Sequence, residues 1–386
     1  MSRLRHVEER FSDLARRWNF EEVRTPLIEH LHLYTRSGTL SPQLLGRVYS
    51  FLDWDGWSGE RVVLRPDSTV AVARLYGEHY AGQEKRLFYA QPVLRFAGAD
   101  ERRETWQIGA EAIGVAGAAA DVELMLLAET FLGGLGLGDI ELHVSHSGVL
   151  RILLGRTGRA AHEQSAIYDR ILDGDRSAVL EISEALPGLD IGMKLLMESQ
   201  GRGPEYVVNL KSALADVPEL SQTLNELEEA TRLLNAAGLD HSITTPLNRD
   251  FEYYTGLVFQ LRRHGEVLGG GGRYDNLVEL VTGEPAAACG FALDSELLAG
   301  LIDDVIDATP HIAVMAEPNA TGPALRLLRA LADNDIPARL NPSSRNGLVV
   351  EVGAESYRHG DKTTPANDEG MAILVQQLAQ EARAGA

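Results

Sequence analysis

The sequence predicts an α+β protein in which an antiparallel sheet flanked by helices carries a helical insertion and is followed by a small α/β unit. Three observations predict it. Alternating apolar and polar runs fill the first third, with Arg86–Phe96 and Glu104–Gly114 reading as a β-hairpin whose tip, Ala97–Arg103, is polar. From about residue 118 to 238 the apolar period becomes helical. Strand-like runs then return at Phe251–Leu261 and Cys289–Leu293, on either side of Gly269-Gly-Gly-Gly272, and the tail alternates short strands with helices.

The elements follow in order. Residues 3–18 have amphipathic helical spacing and lead into Glu21–Glu29, whose β-branched residues and Pro26 suggest a short edge strand. Val48–Leu52 and Arg61–Arg65 form a strand pair across Asp55-Gly56. A helix from Ser68 to Tyr80 takes Asp67 or Ser68 as its cap. Asp121–Leu135, Glu163–Leu172, Arg176–Ala185 and Leu220–Ala237 read as helices, as do a segment from Tyr274 and Asp294–Ile302. Asp303–Pro310 reads as a linker. Beyond it, His311–Met315, Ala338–Leu340 and Leu348–Val352 are strand-like, Gly322–Ala332 and Met371–Ala382 helical, and Gly360–Gly370 a polar, mobile loop.

A chain of 386 residues exceeds one ordinary core, so two domains are expected: residues 1–302, with the mainly helical insertion at about 150–240, and residues 310–386. No run approaches the roughly 18 apolar residues that cross a bilayer, and the first ten residues lack a signal peptide's apolar centre. No membrane association and a cytoplasmic location are therefore expected. Cys289 is the only cysteine, which excludes an internal disulfide and any CxxC metal site, and its apolar surroundings make it a core residue. No metal and no cofactor are expected. The formal charge of −20 repels polyanions and argues against tRNA as a partner.

Four segments carry chemistry. In Leu64–Arg74, Asp67 and Thr69 sit at the mouth of a helix, where the carboxylate either caps the helix or receives an ammonium group. On the hairpin, period-two spacing puts Gln107, Gly109 and Glu111 on one face, and Arg95 lies on the outgoing strand. That face is either solvated or a seat for a small polar ligand. In Leu247–Gln260, Arg249 offers a bidentate cation, and of Tyr253 and Tyr254 one should be core and the other should line a pocket. Four consecutive glycines at 269–272 imply close approach of backbone to backbone or ligand, without the Gly-Lys-Ser/Thr ending of a P-loop.

Taken together and in this order, these segments resemble the histidyl-tRNA synthetase family over about residues 1–300. Arg249-Asp-Phe-Glu-Tyr-Tyr-Thr-Gly256 is similar to its first histidine-specific signature, Gly270-Gly-Gly-Arg-Tyr-Asp275 to its second, Arg95 to the arginine of motif 2, and Pro26 to the proline of the dimer-forming motif 1. The resemblance implies a class II aminoacyl-tRNA synthetase-like fold, a homodimer, and a histidine pocket. In that pocket Asp67, Thr69 and Gln107 would hold the α-amino end. Glu111, Tyr253, Tyr254 and Tyr274 would face the imidazole, and Arg95 and Arg249 would neutralise the carboxylate.

The sequence departs from the family at its ATP end. Leu297 stands where motif 3 carries its phosphate-clamping arginine, Asp294 stands for a glycine, and Ala97 for a motif 2 glutamate. A leucine cannot pair with a triphosphate, and an added carboxylate repels one. Arg102 and Arg103 could meet phosphates or form a solvated hairpin tip. The tail is similar to a shortened anticodon-binding domain. A histidine pocket without an ATP site resembles one branch of the family, the regulatory subunits of ATP phosphoribosyltransferase. That likeness implies no catalytic residues, L-histidine as ligand, the short-form catalytic subunit as partner, and allosteric control of histidine biosynthesis. The competing expectation is a divergent histidyl-tRNA synthetase or histidine-activating ligase.

Overall fold

The computed structural model describes residues 2–36, 39–40, 42–54, 56–98, 102–172, 175–197, 201–244, 253–302, 312–342 and 348–384. The chain divides into two compact units, Arg3–Asp303 and Asp304–Ala386. The segment expected to link them, Asp303–Pro310, lies outside the described residues.

The first unit is built on an eight-stranded sheet. Its strands lie in the order Glu21–Glu22, Lys85–Leu94, Glu104–Ile113, Ala288–Asp294, Glu266–Arg273, Leu257–Arg263, Ile140–His146 and Ser242–Ile243. The outermost pair at each edge is parallel and the inner pairs are antiparallel. The hairpin is the longest ladder, in register from Lys85 opposite Ile113 to Leu94 opposite Glu104.

Register gives the two faces different chemistry. One row across the sheet reads Phe88, Ala110, Phe291, Gly271, Phe259 and Val144. On this face Phe11, from the helix Ser2–Arg17, meets Phe88, Phe291 and Phe131 edge-on, the last from the helix Ala118–Gly134. The adjacent row reads Tyr89, Gly109, Ala292, Gly270 and Gln260 and turns to the opposite face. There the helices Ser68–His79 and Asp275–Thr282 pack through Val70, Val72, Tyr76, Leu277 and Val278.

A second sheet of three strands, Ile28–His30, Gly59–Leu64 and Ser50–Trp54, has Gly59–Leu64 at its centre. The buried Arg65 leaves its end and donates to the carbonyls of Thr25, Pro26 and Pro92, tying this sheet to the hairpin. The expected edge strand at Glu21–Glu29 is thus two strands in two sheets. Extended spacing marks both, but partner choice is tertiary.

The helical stretch holds more than was expected. Gly148–Arg156, Asp190–Met197 and Gly203–Ala213 join the expected helices around an apolar cluster that includes Leu153, Ile182, Met193 and Leu220. Ile140–His146 inside that stretch is a strand, and its alternation of Leu142 and Val144 with polar neighbours is a period-two signal that the surrounding helices obscured. The strand expected to begin at Phe251 begins at Leu257.

The second unit has a five-stranded sheet in the order Ala338–Leu340, Ile312–Ala316, Val349–Val352, Ser356–His359 and Lys362–Pro365, with helices Thr321–Ala332 and Asp368–Ala384. Leu327, Leu331, Val350, Tyr357 and Leu378 are among its core residues. Here the expected loop at Gly360–Gly370 is corrected. Gly360, at φ +56, turns a hairpin whose return strand contains the β-branched Thr363 and Thr364. Polar composition concealed an edge strand that has one solvated face. Among the described residues no helix is long and apolar enough to cross a membrane.

Phe11 is fully buried and shared by three aromatic neighbours. Phe11→Ala is expected to lower the unfolding free energy by about 3–5 kcal/mol in urea denaturation. A loss under about 1 kcal/mol would mean that this face does not depend on the ring.

Candidate functional site

A cavity of about 430 Å³ opens on the glycine-rich face of the large sheet, within the size range of small-molecule sites. Its floor includes Gly269, Gly270, Gly290 and Ala292, and its walls include Asp67, Thr69, Arg95, Gln107, Tyr253, Tyr254 and Tyr274. The floor is low because it has to be. A Cβ on Gly270 would sit 2.4 Å from the Phe259 carbonyl oxygen, and one on Gly290 would sit 1.5 Å from Glu111 Oε2. The close backbone approach expected of the glycine run therefore holds against the neighbouring strands, and Gly269 and Gly270 of that run also line the cavity.

Of the two roles its sequence context left open, Asp67 takes the helix cap, and its second oxygen faces the cavity wall. Its Oδ1 accepts the Val70 amide at 2.9 Å and so caps the helix Ser68–His79, while Tyr253 Oη donates to Oδ2 at 3.4 Å beside the cavity. Burial pushes its pKa up, opposed by the Val70 amide, the Arg95 charge and the Tyr253 hydroxyl. Arg95 lines the same cavity, oriented by its Nε donating to the Pro66 carbonyl at 2.8 Å.

Glu111 lies one layer deeper. It is fully buried and accepts hydroxyls from Thr69 at 2.9 Å, Tyr274 at 2.5 Å and Tyr89 at 3.3 Å. Burial pushes its pKa up to about 8, against the pull of the Tyr274 and Thr69 hydroxyls. The Thr69 hydroxyl is thus directed at Glu111, and the carboxylate that the resemblance aims at an imidazole stands behind Tyr274 and Thr69.

Tyr253 and Tyr254 do not divide into core and pocket. Both are buried, both line the cavity, and their rings meet at 4.9 Å. They precede the strand that starts at Leu257, so strand alternation does not apply to them. Arg249 lies outside the described residues. Gln260 and Phe291 line the cavity unanticipated, Asp294, expected at the ATP end, lines it as well, and Gln260 was legible as the cross-strand neighbour of Gly270 once the register is known.

Beside this cavity the charges are paired internally. Arg102 reaches from the hairpin to Asp294 at 2.7 Å and Glu296 at 2.9 Å. Asp294 also accepts the Leu297 amide, capping the helix Ser295–Leu301. Arg103 lies over the Phe96 ring.

These features define a class II aminoacyl-tRNA synthetase-like domain around a polar cavity of amino-acid size. The family model for histidyl-tRNA synthetase matches residues 1–298. A Dehalococcoides mccartyi protein named ATP phosphoribosyltransferase regulatory subunit is 44% identical over 97% of this chain and 95% of its own length. A histidine–tRNA ligase of Cupriavidus taiwanensis is 28% identical over 96% of this chain and 80% of its own. Among solved structures, an ATP phosphoribosyltransferase regulatory subunit/histidyl-tRNA synthetase from Bacillus halodurans aligns with a TM-score of 0.73 at 23% identity, covering 89% of each chain, and supports the fold. The chain belongs to the histidyl-tRNA synthetase family, on the branch of the ATP phosphoribosyltransferase regulatory subunits.

Two outcomes are expected of Glu111 and its neighbour. The unfolded glutamate titrates near 4.5 and the folded one at about 8, so the unfolded chain releases this proton first as pH rises. Stability from this group is then full at acid pH and declines up to about pH 8, and the stability of the wild type relative to Glu111→Gln should fall over that window in urea denaturation. A pH-independent gap would contradict it. Gly290→Ala should displace Glu111 and cost about 1–3 kcal/mol, read as a lowered Tm.

Proposed function

We propose that this protein is the non-catalytic regulatory subunit of ATP phosphoribosyltransferase, binding L-histidine in the 430 Å³ cavity and transmitting its presence to a short-form catalytic subunit. The observation that carries the proposal is the contrast between the two ends of the site. The amino-acid end offers Asp67, Gln107 and Arg95 together with three tyrosines. A zwitterion carrying an amphoteric imidazole needs such a set: a carboxylate for its ammonium, a guanidinium for its carboxylate, and hydroxyls for its ring. The other end presents Asp294 and Glu296, already neutralising Arg102, with Leu297 next to them. Two carboxylates and a leucine are poor company for a triphosphate, which supports histidine binding without adenylation or tRNA charging.

The identity of 44% to a named regulatory subunit over nearly the whole chain supports the partner assignment. Regulation requires that histidine bind two states of the assembly unequally, because equal affinity shifts nothing. The exposed Leu52, Trp54 and Trp57 on and beside the three-stranded sheet support self-association as a homodimer.

The decisive measurement is histidine-dependent ATP–pyrophosphate exchange beside calorimetric titration with histidine. Histidine binding without exchange is the expected result. Exchange above background would make the protein a divergent histidine-activating ligase. Asp67→Asn and Gln107→Ala are each expected to weaken histidine binding by about tenfold or more, roughly 1.4 kcal/mol per tenfold. Unchanged affinity in both would place the ligand elsewhere. Co-purification with a short-form phosphoribosyltransferase at micromolar concentration tests the partner, and its failure would sink the regulatory assignment.

A further inference from the structure

We propose that His30, His32 and Glu60 form a divalent-metal site on the three-stranded sheet, selective for a borderline first-row ion such as Zn²⁺. It is independent of the cavity and of the function proposed for it. Among the described residues these three are the one group whose potential ligand atoms all lie within 4.8 Å of one another. His30 Nδ1 is 2.9 Å from Glu60 Oε1, and the two imidazole centroids are 5.4 Å apart with rings inclined at 31°.

The local fold explains the convergence. His30 ends the strand Ile28–His30 in an extended conformation, φ −70 and ψ 131, and also stands at the N-terminus of the short helix Leu31–Thr35. Leu31, between the two histidines, packs against the core cluster, which leaves both imidazoles on the exposed side. Across the antiparallel pair His30 faces Val62, and Glu60 lies two residues along the same strand, hence on the same face. The three ligands thus come from a strand end, a helix start and the sheet's central strand.

Two imidazoles and one carboxylate are the donors of Zn²⁺, Co²⁺ and Ni²⁺, with water completing the shell. Ca²⁺ and Mg²⁺ demand oxygen ligands and are disfavoured. Bonds of about 2.0–2.2 Å would hold ligand atoms roughly 3.3 Å apart, so the His30–Glu60 pair is already close enough and the widest separation has to close by at most about 1.5 Å. All three side chains are exposed and have the freedom to do so. A bound ion would clip the strand-to-helix junction onto the central strand, which runs on through Leu64 to Asp67 at the cavity.

The test uses the full-length chain without a histidine tag. Zn²⁺ is titrated against a chromophoric chelator, and Co²⁺ is added separately to read its visible absorption. One equivalent of Zn²⁺ bound at micromolar or tighter Kd, a Co²⁺ band marking nitrogen–oxygen coordination, and a Tm raised by Zn²⁺ are expected. His32→Ala and Glu60→Gln should each weaken binding by roughly tenfold or more, whereas His79→Ala should not. Since the altered side chains are exposed, the variants should match the wild type in Tm when EDTA is present, which separates loss of a ligand from loss of the fold. Wild-type protein that takes up no stoichiometric Zn²⁺ at 100-fold molar excess over micromolar protein, or variants that bind as the wild type does, would overturn the proposal.

Discussion

A single buried carboxylate sets the terms for the site. Glu111 is removed from water and compensated by hydroxyls from three separate elements: Thr69 on a helix, Tyr89 on the neighbouring strand, and Tyr274 at the start of the helix beyond the glycine run. A buried charge or proton of this kind is tolerated only if its oxygens are satisfied, so those elements are tied to one geometry. The same constraint explains the composition around it. Gly109 makes room for the Tyr89 hydroxyl and Gly290 makes room for Glu111 itself, and Gly290 also lines the cavity floor.

The helix cap links this arrangement to the rest of the unit. Asp67 uses one oxygen to start the helix Ser68–His79 and presents the other beside Tyr253, so the residue that orders the helix also furnishes the cavity's negative wall. Arg65, two residues earlier, fastens that junction to three backbone carbonyls. Glu29 and Arg74 add a second, partly buried tie between the small sheet and the same helix. The polar interior is therefore one continuous support for the site, while the opposite face of the sheet is held by aromatic packing around Phe11.

The neighbouring end is held by ion pairs within the chain. Asp294 caps a helix and binds Arg102, and Glu296 completes the pair, so the cation nearest that end is neutralised from within the chain. Ion pairs this exposed contribute little to stability. Their importance lies in their placement, which occupies Arg102 with Asp294 and Glu296 beside the cavity.

The sequence by itself determined the hairpin, the capped helix after Asp67, the close approach at the glycine run and the family, because each rests on local periodicity, turn chemistry or contiguous motifs. Tertiary structure alone decided which residues share a wall. Adjacent tyrosines meet on one cavity because they precede a strand instead of lying in it. Glu111 stands behind Thr69 and Tyr274 instead of at the surface, since its oxygens follow hydroxyl donors brought from 42 and 163 residues away. The strand Ile140–His146, sited among helices, takes its identity from pairing with Leu257–Arg263. The cluster of His30, His32 and Glu60 has no linear signature, because a ligand set drawn from paired strands depends on register, and register is fixed only when the sheet forms.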